Sequence, residues 1–290
     1  MLNLNGKTVV ITGSSRGFGL ELAYAVIQAG GQAVICARSL QAVEDALTKL
    51  NSPDRTAGMA IDVSDLNQVR ALSNFAIKTF GHYDVWINNA GVSGTYGPTT
   101  EISPETFQRV IQTNILGTYF GSKVALEHFT DLQQGKLINI LGHGYKSPVP
   151  YQSAYASSKA WVKSFTLALA REVLLPKVGV FAFAPGMMLT DLLTHVDVVA
   201  GHEDRLKVFP TVLRILARHP STAAKKAVWI ASSATDGKTG KLYTLPMTSF
   251  LLKSMFREIR RKISKSKEPP IQLTFNSVPP YSPENEHVHP

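Results

Sequence analysis

Apolar residues in this chain gather into short continuous runs, separated by stretches in which they recur at helical spacing. The runs "KTVVIT" (7–12), "AVICA" (33–37), "GMAID" (58–62), "DVWIN" (84–88), "KLINIL" (136–141), "VGVFAFA" (178–184) and "KLYTL" (241–245) predict seven strands. Their lack of polar alternation is the pattern of strands covered on both faces. Helical spacing between them predicts helices over 17–29, 40–50, 65–80, 103–130, 152–174 and 221–233. The first stops at Gly30-Gly31, and Pro104 suits the first position of the fourth. Strands alternating with helices predict an α/β fold: a doubly wound parallel sheet of about seven strands with helices on both faces. No internal repeat is visible.

Two segments depart from this rhythm. Residues 187–217, between the sixth strand and the last large helix, carry a dense apolar set including Met188, Leu192, Val198, Phe209 and Leu213. They predict a mobile substrate cover for a bulky hydrophobic substrate, or else packing for a lid helix or a subunit contact. The main domain is expected over 1–247 and a C-terminal extension over 248–290. In the extension, Leu251, Leu252, Met255, Phe256, Ile259 and Ile263 share one helical arc opposite a basic face. That arc suits a peripheral membrane contact through 250–263, or packing on the body or on another subunit. Six prolines in the last 23 residues predict a disordered end, and His287 and His289 there are read as unstructured, not as metal ligands.

Composition adds limits. At 290 residues, 44% hydrophobic and 18% charged, the chain can bury a sizeable core. A single cysteine, Cys36, excludes an internal disulfide framework and suits the cytoplasm or another reducing compartment. No apolar run reaches the ~18 residues of a membrane span, and a strand so near the start leaves no room for a signal peptide. The net charge of +9 is concentrated in 250–267, where seven Lys or Arg face only Glu258. Nucleic acid is therefore not expected as a partner, since the basic segment has few interleaved aromatics and no reading module.

Candidate chemistry begins at "TGSSRGFG", where Gly13, Gly17 and Gly19 open a helix directly after the first strand. Such a turn lets backbone amides approach a pyrophosphate at the positive end of the helix. Ala37 and Arg38 end the second strand where a carboxylate would otherwise hold a ribose 2′-hydroxyl, and Arg16 lies in the turn. Two arginines without a carboxylate favour a 2′-phosphate, hence NADP(H) over NAD(H); the plain alternative is a pair of solvated surface arginines. Tyr155 and Lys159 stand one helical turn apart. An ammonium ~4 Å from a phenol contributes about 4 kcal/mol at an effective dielectric of 20, nearly enough to bring a phenol of pKa ~10 to working range.

With "NNAG" at 88–91, YxxxK at 155–159 and "PGMMLTDL" at 185–192, the chain resembles the short-chain dehydrogenases/reductases over residues 7 to about 245. The resemblance implies a Rossmann-type fold, a nicotinamide cofactor and oxidoreduction at a carbonyl or alcohol. It implies that Thr12, Gly13, Ser15, Arg16, Gly17, Phe18 and Gly19 form the phosphate turn, with Arg38 beside the ribose and Asp62 and Val63 at the adenine. Asn88, Asn89, Ala90 and Gly91 would line the cofactor and brace the sheet, while Pro185, Gly186 and Thr190 would hold the nicotinamide end. Tyr155 would be the proton donor, Lys159 would lower its pKa, and Asn114 would complete the relay; members commonly form homo-oligomers. One position departs from the family: Gly142 stands where a serine normally polarises the substrate carbonyl. Losing such a donor costs ~10²–10³ in rate when nothing replaces it. His143 is a stand-in candidate, and a cofactor-binding regulatory protein without turnover is the alternative. "LGHG", "APGMMLTDLL" and the basic C-terminal helix together resemble the chlorophyll(ide) b reductase branch, which implies a chlorin formyl group as a narrower substrate.

Overall fold

The structure is a computed structural model and describes residues 3–246, 256, 260 and 271–283. The amphipathic stretch 250–263 lies outside the described residues apart from 256 and 260, as do His287 and His289. In chain order the first half comprises β1 (Thr8–Ile11), α1 (Gly17–Gln28), β2 (Gln32–Ala37), α2 (Leu40–Leu50), β3 (Thr56–Ala60), α3 (Leu66–Phe80) and β4 (Val85–Asn88). There follow α4 (Pro104–Val110), α5 (Gly117–Leu132), β5 (Gly135–Ile140), α6 (Ser153–Glu172), β6 (Val178–Ala184), α7 (Asp191–Thr194) and β7 (His195–Val199). The remainder is α8 (Phe209–Leu216), α9 (Pro220–Ala231), β8 (Lys241–Thr244) and β9 (Thr274–Val278).

Among the described residues, seven strands form one parallel sheet in the order β3-β2-β1-β4-β5-β6-β8. This is the doubly wound, Rossmann-type arrangement expected. The period-2 geometry of a strand divides its apolar residues between two layers. Val9, Ile11, Ile35, Ile87, Ile138 and Phe183 meet α1, α2 and α9 through Leu22, Val43 and Val228. Val10, Val34, Trp86, Leu137 and Val180 face the other way, onto Leu72, Val124 and Phe129 of α3 and α5. Both layers are buried, which explains the near-continuous apolar runs. Helix ends follow local chemistry: Ser39 accepts from Ala42 N, Asp65 from Asn67 N and Gln68 N, and Ser103 from Thr106 N.

Two features differ from the sequence reading. The long fourth helix is interrupted by wider, π-type turns over Ile111–Leu116. The end of the chain, expected to be without regular structure, carries β9, which pairs in parallel with β7 as a separate two-stranded sheet. Proline richness did not prevent this, because Thr274–Val278 itself contains no proline and supplies Phe275 to an apolar cluster with Val196, Val198 and Leu206. No helix among the described residues is long and apolar enough to cross a membrane.

Candidate active site

The chain reverses direction across the sheet between β1 and β4, and the crevice outside their carboxyl ends is where such sheets take ligands. Thr12 leaves β1 there. Its Oγ1 accepts from Asn89 N at 3.0 Å and Ala90 N at 3.1 Å, so the two motifs share one buried hydroxyl. Asn89 returns the bracing, donating Nδ2 to the carbonyls of Thr12 and Gly13 at 3.0 and 2.9 Å. Gly13 has φ 62°, and a Cβ there would lie 2.7 Å from Ala90 Cα. A Cβ on Gly19 would lie 2.6 Å from Asn89 Nδ2 and 2.7 Å from Ser14 Cα. Both positions exclude any side chain. At Arg16 the start of α1 has no side-chain cap, so its first amides remain available to an outside acceptor. A dinucleotide's pyrophosphate fits this arrangement.

The other expected cofactor residues divide. Ser15 is half-buried in the turn, whereas the Phe18 ring is buried and packs 6.5 Å from Phe183, so Phe18 serves the core. Thr190 comes against the glycine turn, 3.5 Å from where a Gly17 Cβ would be, and Arg16 pairs with Asp191 at 3.5 Å across the same gap. Pro185 is buried and Gly186 is exposed with φ 79°. The Asp62 carboxylate is engaged locally, accepting from Ser64 N and Oγ, and Val63 packs where a Gly117 Cβ would fall. Arg38 is exposed just past β2.

The catalytic candidates converge at the end of β5. Asn114, fully buried within the π-type turns, donates Nδ2 to Val92 O and Ser158 Oγ, both at 3.0 Å, and accepts from Val92 N at 2.9 Å. Ser158 Oγ donates onward to Tyr155 O at 2.7 Å. A Cβ on Gly91 would stand 3.3 Å from Asn114 Oδ1 and 3.5 Å from Lys159 Nζ, so these three form one group. Lys159 is 5% exposed, donates Nζ to Ile140 O at 3.3 Å, and lies 5.8 Å from the Tyr155 ring centroid. Gly142 belongs to the same group: a Cβ on it would overlap the Tyr155 hydroxyl and lie 2.9 Å from Tyr155 Cζ. His143 is exposed.

Burial pushes the Tyr155 phenol up to about 12 and the Lys159 ammonium down to about 8. Desolvation disfavours the charged form of each group, and Nζ donates to the Ile140 carbonyl at 3.3 Å. At neutral pH the phenol is therefore a neutral acid beside a lysine that still carries its proton.

Sequence reasoning named Asn88 as a brace of the sheet but missed the partners it braces against. Asn88 donates Nδ2 to Asn139 Oδ1 at 2.8 Å and to Ser122 Oγ at 3.0 Å, and accepts from Trp86 Nε1 at 2.8 Å. Asn139 in turn donates to Thr166 Oγ1 at 3.0 Å. The available signal was a lone asparagine inside "KLINIL", since a polar group in a doubly covered strand must find partners. Tyr96 and Tyr151, stacked 5.5 Å apart just before the start of α6, gave no sequence signal. No metal-holding cluster exists among the described residues.

Comparisons with known proteins bear on the family and the fold. A family model for short chain dehydrogenase matches residues 7–198. The chain is 34% identical over 243 residues to 3beta-hydroxysteroid dehydrogenase 1 of Eggerthella lenta, covering 82% of this chain and 91% of that protein. It is 37% identical over 194 residues to the chloroplastic chlorophyll(ide) b reductase NOL of Oryza sativa subsp. japonica, covering 64% of this chain and 57% of that protein. Among solved structures, 3-ketoacyl-(acyl-carrier-protein) reductase from Brucella melitensis, complexed with NADH, matches with a TM-score of 0.75 at 27% identity, covering 84% of this chain and 98% of that one.

Proposed function

The chain belongs to the short-chain dehydrogenase/reductase family and is a nicotinamide-dependent oxidoreductase; from that premise we propose that it reduces, with NADP(H), a carbonyl on a bulky hydrophobic substrate. The observation that carries the reading is the convergence of Gly91, Asn114, Tyr155 and Lys159 at the end of β5, beside a turn from which Gly13 and Gly19 exclude side chains. Bound nicotinamide supplies or receives the hydride. Tyr155, neutral at working pH, gives its proton to the substrate oxygen. The Lys159 ammonium stabilises the phenolate that remains, and Asn114 anchors the start of α6 through Ser158. Thr12, Asn89 and the start of α1 hold the pyrophosphate. Arg38, exposed at the end of β2, supports NADP(H) by its charge and by the lack of a carboxylate at Ala37. Asp62 and Val63 border the adenine end; Ser15, Pro185, Gly186 and Thr190 close the remainder of the channel. The relatives named for a hydroxysteroid and a chlorophyll(ide) support a rigid polycyclic substrate, with a chlorin formyl group as the narrower choice.

One observation favours a second reading, a cofactor-binding protein with impaired turnover. Tyr155 lies over Gly142, with its hydroxyl where a serine side chain would stand. The test follows NADPH and NADH oxidation with a steroid ketone, a chlorin aldehyde and an aromatic aldehyde. Turnover of at least one, faster with NADPH, with Tyr155→Phe lowering it ~10²–10⁴-fold, is expected. NADPH binding without oxidation across the panel establishes the second reading instead.

A further inference from the structure

We infer that the C-terminal strand β9 is a clasp that fastens the substrate cover onto the loops holding the start of the Tyr155 helix, which makes it a positioning element of the substrate site. Its catalytic consequence rests on the function proposed above; its structural claim does not.

The cover strand β7 is held along both edges. On one side β9 runs parallel to it with five residue pairs in register, from His195–Thr274 to Val199–Val278, and Ala200 N donates to Val278 O at 2.8 Å. On the other side Tyr96 N donates to Asp197 O at 2.8 Å and Val199 N to Tyr96 O at 2.9 Å. Side chains reinforce the seam: Ser277 Oγ donates to Glu203 Oε1 at 2.9 Å and Asn276 Nδ2 to Asp197 Oδ1 at 3.1 Å. Phe275 fills the apolar cluster beneath. A parallel pair needs a long connection between its strands, and here more than seventy residues of chain separate them. The contact is therefore a tertiary closure, not a local turn.

From this seam the connection runs to the catalytic helix. Tyr281 N donates to Glu101 O at 3.0 Å, and the Glu101 carboxylate meets His202 Nε2 of the cover at 3.1 Å. The same loop reaches α6, since Gly97 N donates to Tyr151 O at 3.0 Å and Thr99 Oγ1 meets Ser153 Oγ at 2.9 Å. Tyr151 lies between two flanking groups: the Tyr96 ring is stacked 5.5 Å away and the Arg205 guanidinium sits 4.3 Å from its centroid. Its φ of 65° is uncommon for a bulky side chain, and such a conformation persists only where the surroundings hold it. Tyr155 follows one turn later. Loosening β9 should free the cover and then the loop that holds Tyr151.

The test uses the full-length protein with Phe275→Ser, which empties the apolar seat, and separately Asn276→Pro, which removes a strand N–H. Amide hydrogen exchange is followed in peptides spanning 195–206, 96–101 and 151–156, with peptides from β1, β4 and β5 as reference. Roughly tenfold or faster exchange in all three segments, with the reference strands and the NADPH affinity unchanged, is the expected result. Unchanged exchange at 195–206, acceleration confined to that segment, or equal acceleration throughout the sheet each overturns the clasp. For any carbonyl probe the wild type turns over, KM should rise about tenfold while NADPH affinity holds; an unchanged KM also counts against it. A wild type that turns over no probe strikes the functional reading alone, and the exchange pattern still decides this one.

Discussion

Gly142 and Tyr155 occupy one space between them. With no Cβ at Gly142, the phenol settles over the end of β5, and a methyl group there would fall 2.9 Å from its Cζ. The hydroxyl is the movable end of that side chain, so adding a methyl should displace the ring and leave the strand in place. In the resting position burial raises the phenol to about 12. Because that exceeds the ordinary value, the protonated form is favoured in the folded protein, and tyrosinate appears only as pH rises through the higher value. Gly142→Ala should move the hydroxyl toward the cleft and bring its titration down toward the ordinary ~10. Absorbance at 295 nm, referenced to Tyr155→Phe so that other tyrosines cancel, reads this directly. An identical titration in Gly142→Ala and wild type would show that the ring does not rest on the glycine. The departure from the family pattern was legible as a missing hydroxyl. That the Tyr155 ring itself takes the vacated space was not, because it depends on a rotamer and not on residue type.

The elements that carry the candidate site were the most legible part of the molecule, for a physical reason. β1, β4, β5 and β6 are covered on both faces, so their sequences are continuous apolar runs that few other structures tolerate. The glycine turn after β1 was legible because its geometry excludes side chains. Gly19 faces Asn89 Nδ2 at 2.6 Å and Ser14 Cα at 2.7 Å from an imagined Cβ. Gly19→Ala must therefore push α1 off the turn or break the Asn89 bonds to Thr12 and Gly13. It should weaken NADPH binding at least tenfold, read by fluorescence titration, while far-UV circular dichroism stays that of the wild type. Retained affinity would separate the turn from the cofactor. Less legible were the π-type turns at Ile111–Leu116, whose sequence fits an ordinary helix and whose widening brings Asn114 to Val92 and Ser158. β7 and β9 were invisible because "HVDVV" and "TFNSV" are short, mixed in polarity and far apart in sequence. Each becomes a strand only when the other lies beside it.

At the scale of the molecule, α5 and α6 share a partly exposed aromatic face among the described residues. On α5 and α6, Trp161 and Phe165 stack 4.6 Å apart, and Tyr119, 41% exposed, meets Phe165 at 6.1 Å. Leu116, just before α5, and Leu132, at its end, are also exposed. Both signs of charge border this strip, with Glu127 bound to Lys123 at 2.7 Å and to Arg70 at 2.8 Å. A two-fold interface places the same patch on both partners, and a strip bordered by both signs of charge can meet its own copy. The homo-oligomer expected from sequence would seat a second copy of this chain there. An acidic partner would be repelled by Glu127 and Asp131, and a basic one by Lys123. Tyr119→Glu places a charge at the centre of the strip and should shift the sedimentation coefficient of a micromolar sample from dimer or larger to monomer, leaving NADPH binding intact. A wild type that sediments as a monomer, or a variant that stays assembled, would assign the aromatic strip to another role.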